Sequence, residues 1–155
     1  MDMKIDKSGT KNPLTIRLPM LRACFCLAIL WTPSFASDYN NFETDIRSVI
    51  EIQLDAFARG DATTAYDQAS PGIRRLFPTE TIFMTMVRSG YVALIAPRRV
   101  DFLELFDDQA NPIYRVGIES PNGKRWMAFY RMEVQPDQSW RIAGCVLMVM
   151  SGQSV

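Results

Sequence analysis

Histidine is absent from all 155 residues, and its absence excludes several common chemistries. A Ser-His-Asp triad, a histidine-bearing metal site and acid–base catalysis by imidazole all require that residue. The 8 glycines are also too widely spaced to form a phosphate-binding loop. A catalytic site in this chain would therefore have to use carboxylates, tyrosines and arginines, and the sequence indicates no cofactor.

Long apolar runs are also missing, but a short one lies near the N-terminus. Residues 23–31 form an uncharged apolar run directly after Arg22, far short of the roughly 20 residues that span a bilayer. Ser34 and Ala36 then occupy the −3 and −1 positions of a signal-peptidase site. This order predicts a signal peptide over residues 1–36, cleaved near Ala36.

Cleavage would leave a single domain over residues 37–155, located in the periplasm or secreted. The polar stretch over residues 1–19 is long for the start of a signal peptide. Met20 is therefore an alternative start, in which case residues 1–19 are not translated.

Cysteine becomes scarce once the signal peptide is removed. Cys24 and Cys26 leave with it, so the mature domain keeps Cys145 alone. One cysteine can form neither an internal disulfide nor a thiolate metal site. Cys145 lies in an apolar stretch, and we expect it to be a buried, unreactive hydrophobic residue. No metal site is predicted.

The predicted mature domain is mildly acidic. Residues 1–36 hold five of the 17 basic residues and two of the 17 acidic ones, which leaves a net charge of −3 downstream. Because lysine and arginine supply most of the affinity for phosphate backbones, this balance disfavours nucleic-acid binding.

The first half of the domain has helical periodicity. Apolar residues and one glutamine recur on one helix face at Phe42, Ile46, Val49, Ile50, Gln53, Leu54 and Phe57. Asp61 is suited to cap a second helix over residues 62–69, and Ser70 a third that starts at Pro71. Thr79 is suited to cap a fourth helix through Ser89, which Gly90 ends.

The second half has the alternation of β-strands, over residues 98–106, 113–120, 125–134 and 140–150. Asn122 and Gly123 give a strong hairpin signal between the second and third strands. Residues 145–150 are apolar on both faces, so we expect the last strand to be central and covered on both sides. We expect the Trp140 side chain to pack at one end of the core and close it. The fold class is α+β, with N-terminal helices packed on a curved four-stranded antiparallel sheet.

Several blocks of this sequence, in this order, resemble an uncharacterised family of exported bacterial proteins, domain of unknown function 4864. The blocks are residues 53–57, 61–62, 69–73, 86–91 and 139–147, and the resemblance covers about residues 44–148. In outline the family is similar to the nuclear-transport-factor-two-like superfamily, with its cone-like, cystatin-like roll. That superfamily includes ketosteroid isomerase, dehydratases and non-catalytic binding modules, so the resemblance implies a fold without assigning a function.

A cone of this kind would be lined by polar groups from the helices and from the concave sheet face. The candidates are Tyr66, Asp67, Tyr91, Asp101, Tyr114, Tyr130 and Arg131. An isomerase or dehydratase would need a carboxylate base in an apolar pocket with tyrosine donors. Asp101 and Glu104 are three residues apart, so on a regular strand they should point to opposite faces. Arginines nearby in sequence should neutralise them as ordinary ion pairs.

A second candidate site is an anion site at the start of the third helix, formed by Ser70, Arg74 and Arg75. The alternative interpretation is a solvated face on which these arginines pair with carboxylates.

The sequence favours a non-catalytic periplasmic binding or interaction module with an unknown ligand, a small molecule or a protein. Two alternatives stay open: an isomerase-like or dehydratase-like enzyme that uses aspartate and tyrosine in the cone, and an accessory subunit of an envelope complex. No catalytic residue is assigned. The sheet is a candidate surface for a homodimer.

Overall fold

A computed structural model describes residues 35–106 and 111–150, with side chains from Phe42 onward. Four helices come first: α1 (Phe35–Arg59), α2 (Ala62–Asp67), α3 (Pro71–Leu76) and α4 (Glu80–Gly90). A single 3-10 turn, Val92–Leu94, leads into the strands β1 (Arg99–Phe106), β2 (Ile113–Glu119), β3 (Arg125–Val134) and β4 (Trp140–Val149). The predicted α+β class and element order are confirmed. Residues 1–34, which hold most of the predicted signal peptide, lie outside the described residues.

The predicted helix caps are present. Asp61 accepts a hydrogen bond from the Thr64 amide at 3.0 Å, and Thr79 accepts one from the Ile82 amide at 3.2 Å. Ser70 caps α3, which begins at Pro71. These caps satisfy amide groups that the first turn of a helix leaves without partners.

Helix α2 ends at Asp67, two residues earlier than predicted, because the chain that follows it pairs with β4. The Ser70 amide donates to the Ile142 carbonyl at 2.9 Å, and the Ile142 amide donates to the Gln68 carbonyl at 2.8 Å. These two hydrogen bonds form a single parallel β-bridge between Ala69 and Ile142.

The four strands form an antiparallel meander in the order β1-β2-β3-β4. A five-residue connection, residues 120–124, joins β2 to β3, with a hydrogen bond of 2.8 Å from the Gly123 amide to the Ser120 carbonyl. Gly123 has φ of 80°, a left-handed conformation that glycine adopts without steric penalty. The Asn-Gly hairpin predicted from the sequence is confirmed.

The prediction that the last strand is central is wrong. β4 is an edge strand of the sheet, and its outward-facing side chains Val146 and Met148 are 60% and 57% exposed. In a meander the last strand has a neighbour on one side, and the helices cover one face of the sheet. Apolar residues on both faces of β4 therefore do not imply burial on both.

The core lies between the helices and one face of the sheet, called here the inner face. Its buried side chains include Tyr114, Val116 and Ile118 from β2, Ala128, Tyr130 and Met132 from β3, and Ile142 from β4. Ile46, Ile50, Leu54 and Phe57 of α1 pack in the same cluster, as the helical periodicity predicted. Trp140 packs edge-on against Phe42, with ring centroids 5.0 Å apart.

A β-bulge in β1 overturns the expectation that Asp101 and Glu104 point to opposite faces. Asp101 pairs with Gly117 and Glu104 pairs with Arg115, and the register shifts between Phe102 and Glu104. The bulge adds one residue to β1, so side chains three positions apart lie on the same face. Both carboxylates lie on the face away from the helices, called here the outer face.

Candidate ligand-binding cleft

A cleft of about 400 Å³ opens to solvent between the helices and the β4 edge of the sheet. Its walls come from α1, the segment around α3, α4 with the turn after it, and the N-terminal half of β4. The lining residues are Gln53, Phe57, Ala69, Ile73, Leu76, Phe77, Phe83, Met86, Val87, Tyr91, Leu94, Arg131, Ile142, Ala143, Gly144 and Cys145. Most are apolar, as in sites that bind small molecules with little polar surface.

Polar groups at the cleft are few, and two of them are already engaged with the backbone. The side-chain amide of the buried Gln53 donates to the Ala65 carbonyl at 3.2 Å. The Tyr91 hydroxyl donates to the Cys145 carbonyl at 2.9 Å. None of the described residues that line the cleft carries a carboxylate. The walls therefore offer van der Waals contact and no acidic group.

The Cys145 thiol is a poor nucleophile in this position. Burial raises its pKa from 9.0 to about 12, so the thiol stays protonated at neutral pH. A protonated thiol is neither a good nucleophile nor a metal ligand. Cys145 is partly buried, where the sequence predicts a buried residue, and its raised pKa supports the predicted lack of reactivity.

Tyr130 lies on the inner face beside Cys145, its partner in the β3–β4 ladder. Its side chain is fully buried, and burial raises the pKa of its hydroxyl well above the usual value. The hydroxyl neighbours the Cys145 thiol but meets the geometry of a hydrogen bond with none of the described groups. Tyr91 contributes electrostatically to this raised pKa, and burial also raises the pKa of the Tyr91 hydroxyl.

Arg131 reaches the cleft by an unusual route, since its position in β3 places it on the outer face opposite Gly144. A Cβ atom on Gly144 would stand 3.5 Å from Nη2 of Arg131, so the guanidinium lies directly over this glycine. Nη2 donates to the Ala143 carbonyl at 3.0 Å, at the point where the ladder register shifts. Arg131 therefore extends over β4 and lines the cleft as an exposed residue.

Two of the predicted cone residues, Tyr91 and Arg131, line the cleft. The Tyr114 hydroxyl donates to Glu43 Oε1 at 2.7 Å, and the Tyr66 hydroxyl donates to the Phe77 carbonyl at 2.8 Å. Tyr130 lies beside the cleft without lining it. The aromatic side chains of these three candidates stabilise the core around the cleft.

The two carboxylate candidates lie away from the cleft. Asp101 is on the outer face, where its carboxylate is 2.8 Å from Arg99 Nε, and Asp67 pairs with Arg74 at 3.2 Å. On the outer face Glu104 is 3.0 Å from Arg115. The prediction that neighbouring arginines neutralise the strand carboxylates is confirmed.

The three residues of the predicted anion site are only partly brought together. Nε of Arg74 donates to the Ala69 carbonyl at 3.0 Å, and its Nη2 binds Asp67, so this guanidinium is already engaged. The Ser70 hydroxyl accepts from the Ile73 amide at 3.5 Å. Arg75 is exposed, and its Nη2 would lie 3.8 Å from a Cβ atom on Gly72, which would be 3.4 Å from the Ser70 hydroxyl. The anion site stays a prediction.

The apolar lining was harder to foresee than the tyrosines. Phe57, Phe83 and Val87 have the spacing of ordinary core residues, and a sequence pattern does not distinguish a core wall from a cleft wall. The role of Gly144 depends on its register opposite Arg131, which spacing along the chain does not reveal.

Across residues 35–106 and 111–150, no three side chains of the His, Cys, Asp or Glu type meet as metal ligands. No helix in the described part of the chain is both long and apolar enough to cross a bilayer.

Helices packed on one face of a curved antiparallel sheet define the α+β cone fold. The structure is similar to the crystal structure of an NTF2-like protein of unknown function from Shewanella baltica OS155, with a TM-score of 0.51 at 11% identity. The similarity covers 78% of this chain and 100% of the other. No curated protein matches the sequence.

The family model described as domain of unknown function (DUF4864) matches residues 40–155. The chain therefore belongs to this family, and the resemblance seen in the sequence is confirmed.

Proposed function

We propose that this domain is a non-catalytic binding module that holds a small, largely apolar molecule in the cleft. The observation that supports this most directly is the apolar cleft of about 400 Å³, which is within the size range of small-molecule sites. The family and the structural neighbour support the fold alone, since neither has a known function.

The chemistry of the cleft favours binding over catalysis. An isomerase-like mechanism needs a carboxylate base in the apolar pocket, and Asp101, the candidate base, is on the outer face, paired with Arg99. The Cys145 thiol, with a pKa near 12, is not a ready nucleophile. Tyr91 can donate a hydrogen bond but has no basic partner along the described wall.

Titration with a neutral apolar dye such as N-phenyl-1-naphthylamine tests this proposal. Met86 lines the cleft, and Met86→Trp should fill part of it and weaken dye binding at least several-fold. Met148→Trp places the same bulk on the outer face and serves as the control. If the folded protein does not bind the dye, or if both variants bind it as the parent does, the proposed function is wrong.

We also propose that the domain acts after export, in the periplasm or outside the cell. The basic, apolar and small-residue order over residues 22–36 supports this. Cleavage after Ala36 would remove two residues of α1 and leave every core residue in the mature chain. N-terminal sequencing of protein from the native host should give Ser37 as the first residue, and a mature chain that retains Cys24 would contradict export.

A second candidate function is protein interaction through the outer face, either in a homodimer or on a partner in an envelope complex. Val146 and Met148 are 60% and 57% exposed there, opposite Phe129 and Met127 in the β3–β4 ladder. An exposed apolar patch of this kind often marks an interface. Sedimentation should show dimers that Val146→Lys abolishes and that Ile82→Lys, on α4, leaves intact. A monomer at all concentrations would exclude the homodimer.

A further inference from the structure

We propose that the cleft ligand is an amphipathic monoanion, an apolar chain or ring system that ends in a carboxylate bound by Arg131. This inference rests on the proposed function and adds to it the chemical class of the ligand. It follows from three observations: Arg131 has no ion-pair partner among the described residues, Gly144 leaves room for its guanidinium, and no described residue of the cleft wall carries a carboxylate.

Arg131 differs from the arginines that are neutralised by the protein itself. Arg74, Arg99 and Arg115 each have a carboxylate within 3.2 Å, whereas Arg131 makes no ion pair with a described residue. Within the described part of the chain, its one hydrogen bond goes from Nη2 to the Ala143 carbonyl. A guanidinium has five N–H donors in a planar fork that matches a carboxylate, so most of this fork is free.

Gly144 allows that fork to reach the cleft. Nη2, Nε and Cζ of Arg131 would lie 3.5, 3.8 and 4.0 Å from a Cβ atom at this position. A methyl group could be accommodated at these distances, but a branched side chain would push the guanidinium away from β4. The glycine and the hydrogen bond to Ala143 together hold one positive charge next to an apolar wall.

This arrangement selects among ligands by charge. Arg131 is exposed at the mouth of the cleft, and a carboxylate there would gain a charge-assisted hydrogen bond from the guanidinium. The remainder of the ligand would contact Phe57, Phe83, Met86 and Ile142, all along the wall. A cationic ligand would be repelled by Arg131 and would find no acidic group among the described cleft residues.

Decanoate and its methyl ester test the inference, since they share an apolar chain and differ in charge. Each is titrated against the parent protein by calorimetry and by displacement of the neutral dye. We expect decanoate to bind about 10- to 100-fold more tightly than the ester, the range for one hydrogen bond to a charged group. Arg131→Gln should remove this preference, so that decanoate binds no more tightly than the ester.

Arg125→Gln is the matched control. Arg125 is exposed on the outer face at the other end of β3, and its replacement should change neither affinity. Gly144→Val keeps the charge but displaces the guanidinium, so it should reduce decanoate binding as Arg131→Gln does. If the melting curve of Arg131→Gln shows that this variant does not fold, Gly144→Val provides the test in its place.

The outcomes separate this inference from the proposed function. If acid and ester bind the parent equally, or if Arg131→Gln and Gly144→Val both keep the preference for acid, the role of Arg131 is refuted while the cleft stays a binding site. If neither compound nor the dye binds the folded parent, both proposals fail.

Discussion

The two faces of the sheet share four strands and differ in almost every physical property. On the inner face Val116, Ala128 and Met132 have no exposed surface, because the helices pack over them. The outer face carries ion pairs on β1 and β2, and apolar side chains on β3 and β4, of which Val146 and Met148 on β4 are exposed. The same alternating strands therefore place one row of residues in a core and the next row in solvent.

The comparison shows that alternation of residues along a strand separates the side chains of the two sheet faces, but does not reveal which face another element covers. The helices decide which set becomes the core. Arg131 is the exception to the separation, because its position is on the outer face while its guanidinium lies at the cleft. The following predictions test how far stability depends on the inner face, in order of decreasing effect.

The largest effect is expected from truncating a core side chain. Met132→Ala should lower the free energy of unfolding by about 2–5 kcal/mol, because the substitution leaves a cavity in a buried site. Met148→Ala, on the outer face of the neighbouring strand, should change it by less than about 0.5 kcal/mol. Urea denaturation of both variants measures the difference, and similar losses would mean that a partner covers the outer face.

Alkaline pH should destabilise the fold through Cys145. The folded pKa, about 12, is raised above the usual 9.0, so above pH 9 the unfolded chain releases a proton that the folded chain retains. The stability from this group is complete below pH 9 and falls as pH rises towards 12, by up to about 1.4 kcal/mol per unit. Cys145→Ala should flatten the curve between pH 9 and 10, whereas the raised pKa values of Tyr130 and Tyr91 contribute to the slope above pH 10 in both proteins. The same slope between pH 9 and 10 in the variant would show that the thiol is not protected.

Replacing either of two paired inner-face tyrosines with phenylalanine should change the stability of the fold, in opposite directions for the two variants. Tyr114 and Tyr130 face each other in the β2–β3 ladder. Tyr114→Phe removes the bond to Glu43 and should lower stability by about 1 kcal/mol, whereas Tyr130→Phe removes a buried hydroxyl without a hydrogen bond and should raise it by up to about 1 kcal/mol. Thermal melting compares them, and a loss in Tyr130→Phe would show that its hydroxyl has a partner in solution.

The smallest effect is expected for the charges of the outer face. Glu104→Gln breaks the ion pair with Arg115, in which the two side chains are 51% and 37% exposed. Exposed pairs contribute little, so the change in unfolding free energy should be below about 0.5 kcal/mol. It should shrink further in high salt. A loss above 1 kcal/mol would mean that the outer face is more shielded than the structure shows.

The candidate site was less predictable than the fold. Tyr91 and Arg131 could be named as cone residues from the sequence, because they are polar groups in elements expected around the cone. Asp101 could not be excluded, since the bulge that determines its face has no signature in the spacing of β1. The cleft itself follows from how α3 and α4 stand away from β4, which depends on contacts between distant segments.

The sequence by itself determined the order of the helices and strands, the caps at Asp61, Ser70 and Thr79, and the hairpin at Gly123. Each of these features depends on residues that are only a few positions apart in the sequence, so their side chains alone predict it. The tertiary structure decided that β4 is an edge strand, that Asp101 and Glu104 share a face and that Arg131 crosses Gly144. Each of these depends on strand register and on what the helices cover, and such long-range pairing is not encoded in local spacing.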